Sequence, residues 1–152
     1  MKRDILIVLV LISILSAQLA FAAENKTIAM LTPYLASVTT NQMIKAFEKE
    51  ATAKGWEVVT VDTKGDFGAL ASRMEDMIAR KVDAIVLGSA DPNQLKDQIQ
   101  KANEAGIPVL GADAGWIPGV TCNVTSDNYV MSAMMTTFLF NAIDRKGNIV
   151  VF

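Results

Sequence analysis

Short runs of β-branched and other apolar residues alternate along this 152-residue chain with longer segments of helical periodicity. Several of the runs are almost continuously apolar, which is typical of strands covered on both faces of a sheet. The predicted strands are residues 27–31, 57–61, 84–88, 108–112, 121–124 and 148–152. Strands that alternate with helices form right-handed βαβ units. The sequence therefore predicts an α/β fold, an open parallel sheet with helices on both faces.

Polar capping residues mark the starts of four helices between these strands. The predicted starts are Thr39 with Gln42 three residues later, Asp66, Asp91 followed by Pro92, and the pair Ser126 and Asp127. The fourth helix is expected to run to Gly147 and to place Met134 and Met135 in the core. Cys122, in the fifth predicted strand, is expected to be a buried and unreactive thiol, because no basic residue stands beside it.

Residues 1–22 have the three parts of a secretory signal peptide. Lys2 and Arg3 form a basic start, residues 5–15 are apolar, and Ala20 and Ala22 place small side chains at the cleavage positions. The apolar stretch is shorter than the about 20 residues that a membrane-spanning helix needs. We therefore expect residues 1–22 to be removed on export to the periplasm, with a membrane anchor as the alternative.

Charge and composition exclude several classes of function. Residues 1–22 hold two of the 14 basic and one of the 16 acidic residues, so the remaining chain has a net charge of −3. Nucleic-acid binding depends on basic side chains that neutralise phosphates, and none is expected here. The chain has no histidine and one cysteine, which excludes Ser-His and Cys-His catalysis, histidine-based metal sites and an internal disulfide. Sequence motifs for dinucleotides, nucleoside triphosphates and the nucleophile elbow are also absent.

The loops that follow the strands are the expected place for a ligand, because open parallel sheets bind ligands at the carboxyl ends of their strands. The loops are residues 32–41, 62–66, 89–92 and 113–119, and they contain hydroxyls, carboxylates and two aromatic rings. Carboxylates accept strong hydrogen bonds from ligand hydroxyls, and an aromatic face covers the C–H side of a sugar ring. This set suits a neutral, hydroxyl-rich ligand. A glycoside-hydrolase pair formed by Asp62 and Asp113 is a less favoured alternative, and we expect no enzyme activity.

Several segments resemble the periplasmic sugar-binding proteins of ABC importers, especially the ribose-binding type. They are "KTIAML", "EKEATAKGWEVVTVDT", "VDAIVLGSADPNQLKDQIQKANEAGIPVLGAD" and "VTSDN", in that order. The resemblance extends from Lys26 to Phe152. It implies the type I architecture of that family, in which two α/β lobes joined by a hinge close on the ligand. Residues 23–125 would then form the amino-terminal lobe, and residues 126–152 the hinge crossing and the start of a truncated second lobe.

The resemblance assigns sugar binding to Asp113, the aspartate that ends the fourth strand, and to the first loop. The candidate ligand-binding residues are Asp113, Trp116, Tyr34, Ser37, Thr39, Thr40 and Ser89. For Asp113, the alternative role is a helix or turn cap. Tyr34 or Trp116 is expected to replace the aromatic ring that the ribose-binding type has near the end of its first loop and this chain lacks there. The alternative for Trp116 is packing under its own loop.

The first loop and the residue after Asp113 depart from the ribose-binding type. Ala114 stands where that type has an arginine, Thr39 and Thr40 where it tends to have two phenylalanines, and Ser37 where it has an asparagine. Ribose itself is therefore not predicted as the ligand.

The resulting prediction is a monomeric solute receptor of the periplasm that uses no metal or other cofactor. It would bind a monosaccharide or related polyol between two lobes and deliver it to an ABC permease in the inner membrane. The alternative is a periplasmic sensor that reports to a chemotaxis or quorum-sensing receptor, since the same cleft would serve both roles.

Overall fold

Five parallel strands form one sheet in the computed structural model, which describes residues 25–150. In chain order they are β1 (Thr27–Thr32), β2 (Glu57–Asp62), β3 (Ala84–Gly88), β4 (Val109–Ala112) and β5 (Cys122–Val124). Their spatial order is β2-β1-β3-β4-β5. The chain passes to one side of β1 to form β2 and then to its other side to form β3. The α/β fold predicted from the sequence is confirmed, and the strand order reverses next to β1, where such sheets bind ligands.

Among the described residues, an aspartate side chain caps the start of each helical segment except the first. They are α1 (Val38–Ala53), α2 (Phe67–Ala79), a 3₁₀ turn (Pro92–Leu95) that continues into α3 (Lys96–Glu104), and α4 (Asn128–Ala142). Asp66, Asp91 and Asp127 each accept a hydrogen bond from a backbone N–H of the following turn. These bonds satisfy donors that have no partner inside the helix. The predicted starts of the second, third and fourth helices are therefore confirmed.

The predicted start of the first helix is wrong by two residues. Ser37 is the residue before α1, and Thr39 lies inside the helix. The Ser37 side chain makes no capping bond, because its hydroxyl pairs with the Thr39 hydroxyl at 3.1 Å instead. Serine and threonine are both favoured at the residue before a helix, so the local sequence left the start of α1 ambiguous.

The sheet buries apolar side chains on both faces, which explains the nearly continuous apolar runs. The face covered by α2 and α3 includes Ala29 and Leu31 of β1, Ile85 and Leu87 of β3, and Leu70, Met74, Leu95 and Ile99 from the helical side. The opposite face packs on α1 through a smaller cluster of Ile28, Met30, Ile44 and Val86. The core thus lies on both sides of β1 and β3.

Two expectations about burial are wrong. Met134 and Met135 are 68% and 69% exposed, and α4 has no buried residue. The faces of the sheet are covered by α1, α2 and α3, so nothing in the described core requires α4. Cys122 is also exposed, because it lies on β5 at the edge of the sheet.

The carboxyl-terminal prediction is corrected as well. The fourth helix ends at Ala142 rather than at Gly147, and residues 148–150 are not a strand, since they pair with none of the five strands. Residues 151 and 152 of that predicted strand, and the predicted signal peptide at 1–22, lie outside the described residues. Within residues 25–150, no helix is both long and apolar enough to cross a membrane.

Asp83 connects the starts of β1 and β3. Its carboxylate accepts a hydrogen bond of 2.7 Å from the Thr27 backbone N–H and lies 3.4 Å from Lys26 Nζ. The Thr27 N–H, followed by the Lys26 ammonium, holds the pKa of Asp83 below its ordinary value. A carboxyl group whose pKa falls on folding stabilises the folded state above its unfolded pKa, and that contribution disappears as the pH drops through the folded pKa.

Asp83→Asn is therefore expected to lower the melting temperature at pH 7. Its effect should diminish as the pH falls below about 4, the pKa of an unfolded aspartate, toward the lower pKa of the folded carboxyl. The measurement is a set of thermal melts of both proteins between pH 7 and pH 3. Asp144→Asn is the control, because that carboxylate is almost fully exposed and lies 3.9 Å from Lys146. A destabilisation by Asp83→Asn that is constant over this range would contradict the assignment.

Candidate ligand-binding cleft

The loops after β1, β2, β3 and β4, with the first turn of α1, line an open cavity of about 720 Å³. Its volume lies in the range that holds a small organic ligand. The residues that line it are Pro33, Tyr34, Ala36, Ser37, Thr39, Thr40, Asp62, Lys64, Gly65, Ser89 and Asp113. The structure thus brings six of the seven predicted binding residues together at the carboxyl edge of the sheet.

Trp116 is the predicted residue that does not line this cavity. Its indole N–H donates a 3.1 Å hydrogen bond to the Val120 carbonyl, and the side chain is 64% exposed. This bond ties the ring to its own loop. Ligand contact by Trp116 stays a prediction, and Tyr34 is the aromatic residue that lies in the cavity wall.

Asp62 and Lys64 are cavity residues that the sequence-based set omitted. Asp62 is the last residue of β2 and Lys64 lies in the loop that follows it, in a region that the strand-end rule had marked as a candidate. Asp91, by contrast, uses its carboxylate to accept hydrogen bonds from the Asn93 backbone and side chain, at 2.9 and 3.0 Å. These bonds lower the pKa of Asp91. Its role is therefore to cap the turn before α3.

A left-handed backbone conformation recurs at three strand ends around the cavity. Lys64, Ser89 and Asp113 each have φ of 53°. Such a conformation costs roughly 1–2 kcal/mol for a residue with a β-carbon, and it concentrates at functional sites. All three residues line the cavity, so the bends after β2, β3 and β4 present their side chains to the same space.

Thr40 and Ser89 join the first helix to the end of β3. Thr40 is buried in the first turn of α1, and its hydroxyl lies 3.1 Å from that of Ser89. Each hydroxyl has one donor and two acceptor positions, so the pair keeps hydrogen-bonding capacity for a ligand. The hydrogen bond thus holds two predicted binding residues together and leaves acceptor positions on both hydroxyls free for a ligand.

The last two residues of β5, Asn123 and Val124, and the following Thr125 hold the loop that carries Asp113. The Asn123 side chain donates to the Ala114 carbonyl at 2.7 Å and accepts from the Ala114 N–H at 3.3 Å. The Val124 carbonyl accepts from the Asp113 N–H at 2.8 Å. The Thr125 hydroxyl donates to Asp113 Oδ1 at 3.0 Å. Sequence reasoning missed Asn123 and Thr125 because they act through a neighbouring strand.

Gly111 of β4 makes room for the Asn123 amide. A β-carbon at position 111 would lie 2.9 Å from Asn123 Cγ and closer still to its Oδ1. Real β-carbons do not approach other atoms so closely. The small residue in β4 is therefore a steric requirement of the bonds that fix Ala114.

Residues 28–152 match a family model described as a periplasmic binding protein domain. The chain belongs to the periplasmic binding protein family. It is 30% identical over 106 residues to the ribose import binding protein of Bacillus subtilis, an alignment that covers 69% of this chain and 35% of that protein. It is 29% identical over 102 residues to the xylitol-binding protein of Mycolicibacterium smegmatis, covering 66% and 29% of the two chains.

Solved structures of periplasmic binding proteins share the fold. An ABC transporter solute binding protein from Agrobacterium vitis with bound allitol superposes with a TM-score of 0.76 at 31% identity, covering 86% of this chain and 45% of that one. An ABC sugar transporter subunit from Rhodobacter sphaeroides gives 0.74 at 27% identity, covering 84% and 45%. The chain spans about a third of the length of the curated relatives named above. The resemblance inferred from the sequence is confirmed, and the structural neighbours are two-lobed proteins.

Gly111→Ala is expected to destabilise the fold by about 1–3 kcal/mol, the usual cost of forcing atoms into a packed site. The measurement is the free energy of unfolding in urea. In an Asn123→Ala background the same substitution should cost much less, because the clashing amide is gone. Equal costs in both backgrounds would show that Gly111 is needed for another reason.

Proposed function

We propose that this protein is the solute receptor of an ABC importer and binds a monosaccharide or a related polyol in the cleft at the carboxyl edge of its sheet. The observation that carries the proposal is the convergence of Asp113, the Thr40–Ser89 hydroxyl pair and Tyr34 on one cavity in a chain of this family. The names of the relatives, a ribose import protein, a xylitol-binding protein and an allitol-bound solute receptor, support the ligand class.

Asp113 is the proposed anchor for ligand hydroxyls. Its Oδ1 accepts the Thr125 hydroxyl, and each carboxylate oxygen has two acceptor positions. The group can therefore still accept from two adjacent hydroxyls, through bonds about twice as strong as neutral ones. Ser37, Thr39 and Ser89 would add neutral hydrogen bonds at the cavity wall.

Tyr34 is the proposed apolar surface for the C–H side of the ligand. Its ring is 46% exposed and packs edge-on against Phe67, with 6.3 Å between the ring centroids. The contact with Phe67 supports the ring while its accessible part covers the ligand. Lys64 supplies a cationic donor at the same wall.

Ala114 and the threonines at 39 and 40 make the cleft unlike that of the ribose-binding type. This difference favours another monosaccharide or a polyol as the ligand.

The proposed mechanism is closure of two lobes about a hinge. Residues 23–125 form one lobe, and residues 126–152 form the crossing and the beginning of the second. Ligand contacts from both lobes stabilise the closed form, and a permease in the inner membrane accepts that form.

Residues 1–22 direct the chain to the periplasm and are cleaved there, and the mature receptor acts as a monomer without catalysis. A sensor would use the same cleft, and no feature of the cleft favours that role over transport.

Thermal melts against pentoses, hexoses and polyols, including ribose, xylitol and allitol, test the proposal. The protein is expressed from its complete reading frame, so that any second lobe is present. A ligand at 100 times its dissociation constant adds about 2.7 kcal/mol of stability, and one or two related compounds are expected to raise the melting temperature accordingly. Asp113→Ala should reduce the shift sharply, whereas Asp97→Ala, on α3 outside the cavity, should retain it. No shift with any compound would reject a sugar or polyol receptor.

The two aromatic candidates are separated by alanine substitution. Tyr34→Ala is expected to weaken binding of the active compound about tenfold or more, since its ring lies in the cavity wall and each Å² of apolar surface buried contributes about 25 cal/mol. Trp116→Ala should weaken binding less, because its indole is bonded to Val120. Isothermal titration calorimetry measures both. A larger loss with Trp116→Ala would place the stacking surface on the loop after β4.

A further inference from the structure

Thr125 stands between the cleft carboxylate and the segment that leaves the sheet. It directly follows β5 and precedes Asp127, which caps α4 by accepting a hydrogen bond from the Val130 N–H at 2.9 Å. Ser126, beside it, donates from its hydroxyl to Asn128 Oδ1 at 2.8 Å. Both residues that follow Thr125 are thus bonded within the start of α4, while Thr125 itself is bonded back to the cleft.

The direction of the Thr125 hydrogen bond is fixed by chemistry. Its hydroxyl lies 3.0 Å from Asp113 Oδ1 and 3.5 Å from the Ser126 carbonyl oxygen. An ionised carboxylate and a carbonyl can only accept, so Thr125 is the donor. The shorter distance and the charge of the acceptor favour the bond to Asp113.

This bond restricts the orientation of the Asp113 side chain. The Asp113 backbone is already held in its left-handed conformation, with its N–H bonded to the Val124 carbonyl. The side chain is exposed and would otherwise exchange between rotamers, a freedom that a ligand would have to remove on binding. A side chain held in its binding orientation beforehand gives tighter association.

We propose that Thr125 is a positioning residue, which holds the Asp113 carboxylate toward the cleft and links it to the crossing segment at residues 126–128. The claim about affinity rests on the proposed function, because it requires a ligand that bonds to Asp113. The claim about orientation does not, because Thr125 and Asp113 are in contact in the unliganded protein.

The affinity test compares Thr125→Val, which keeps the shape and removes the donor, with Thr125→Ser, which keeps the donor. The probe is whichever of ribose, xylitol and allitol gives the largest shift of the wild-type melt, measured by titration calorimetry. Thr125→Val is expected to weaken binding about tenfold, or about 1.4 kcal/mol, and Thr125→Ser by less than about twofold. Thr121→Val is the matched control, since Thr121 is exposed at the opposite end of β5. Equal affinities of Thr125→Val and wild type would overturn the affinity claim.

A double-mutant cycle distinguishes positioning from direct contact or general destabilisation. If Thr125 acts through Asp113, Thr125→Val should cause no further loss of affinity in an Asp113→Ala background. Losses that add in the double variant would mean that Thr125 acts independently of Asp113, and would overturn the proposal.

A measurement without ligand decides the orientation claim separately. Three-bond couplings of the unliganded protein report the χ1 rotamers of Asp113. One rotamer should dominate in wild type and Thr125→Ser, and averaged couplings should appear in Thr125→Val. Averaging in wild type, or one rotamer in all three proteins, would overturn the claim. This result stands even if no sugar or polyol binds, so failure of the proposed function and failure of this inference are distinguishable.

Discussion

The parallel pairing of β1 with its two neighbours determines where the cleft residues lie. Thr32 at the end of β1 is in register with Asp62 at the end of β2. The pairing continues beyond the strands, since the Thr63 N–H donates to the Thr32 carbonyl at 3.1 Å and the Ser89 N–H to the Ala112 carbonyl at 2.9 Å. The loops therefore begin from backbone positions that the sheet has already fixed. A hydroxyl-rich first loop and two later carboxylates meet because parallel strands bring their carboxyl ends to one edge.

The parallel pairing is weakest at β5, the strand whose end bonds to the Asp113 loop. This strand has three residues and pairs with β4 alone. Its side chains at 122 and 124 are exposed, so little apolar burial stabilises it. Stability varies across a fold, and elements with few buried contacts open most readily. The hydrogen bonds of Asn123 to Ala114 and of Thr125 to Asp113 offset this lack of apolar burial. Through them the edge strand orients the cleft carboxylate.

Local signals predicted the elements well because they act within a few residues. The caps at Asp66, Asp91 and Asp127 each bond to the next turn of the chain, so a short sequence window contains both partners. The strand-end rule placed the cleft for a similar reason, since topology determines which loops meet. Burial of Cys122 and the side-chain direction at Trp116 depend on neighbours distant in the sequence, and no local pattern encodes them. The roles of Asn123 and Thr125 were hidden in the same way, because each bonds across to another strand end.

The proposed lobe boundary near residue 125 coincides with a change in burial along the chain. Val120 is the last buried residue in the described chain, and beyond it the helix α4 exposes large apolar side chains. Tyr129 is 84% and Phe138 77% exposed, although such residues ordinarily contribute to cores. An apolar surface of this kind is typical of an interaction site. In the proposed two-lobe arrangement, α4 would lie at the start of the second lobe and pack there, and Thr125 would be the last residue bonded to the first lobe.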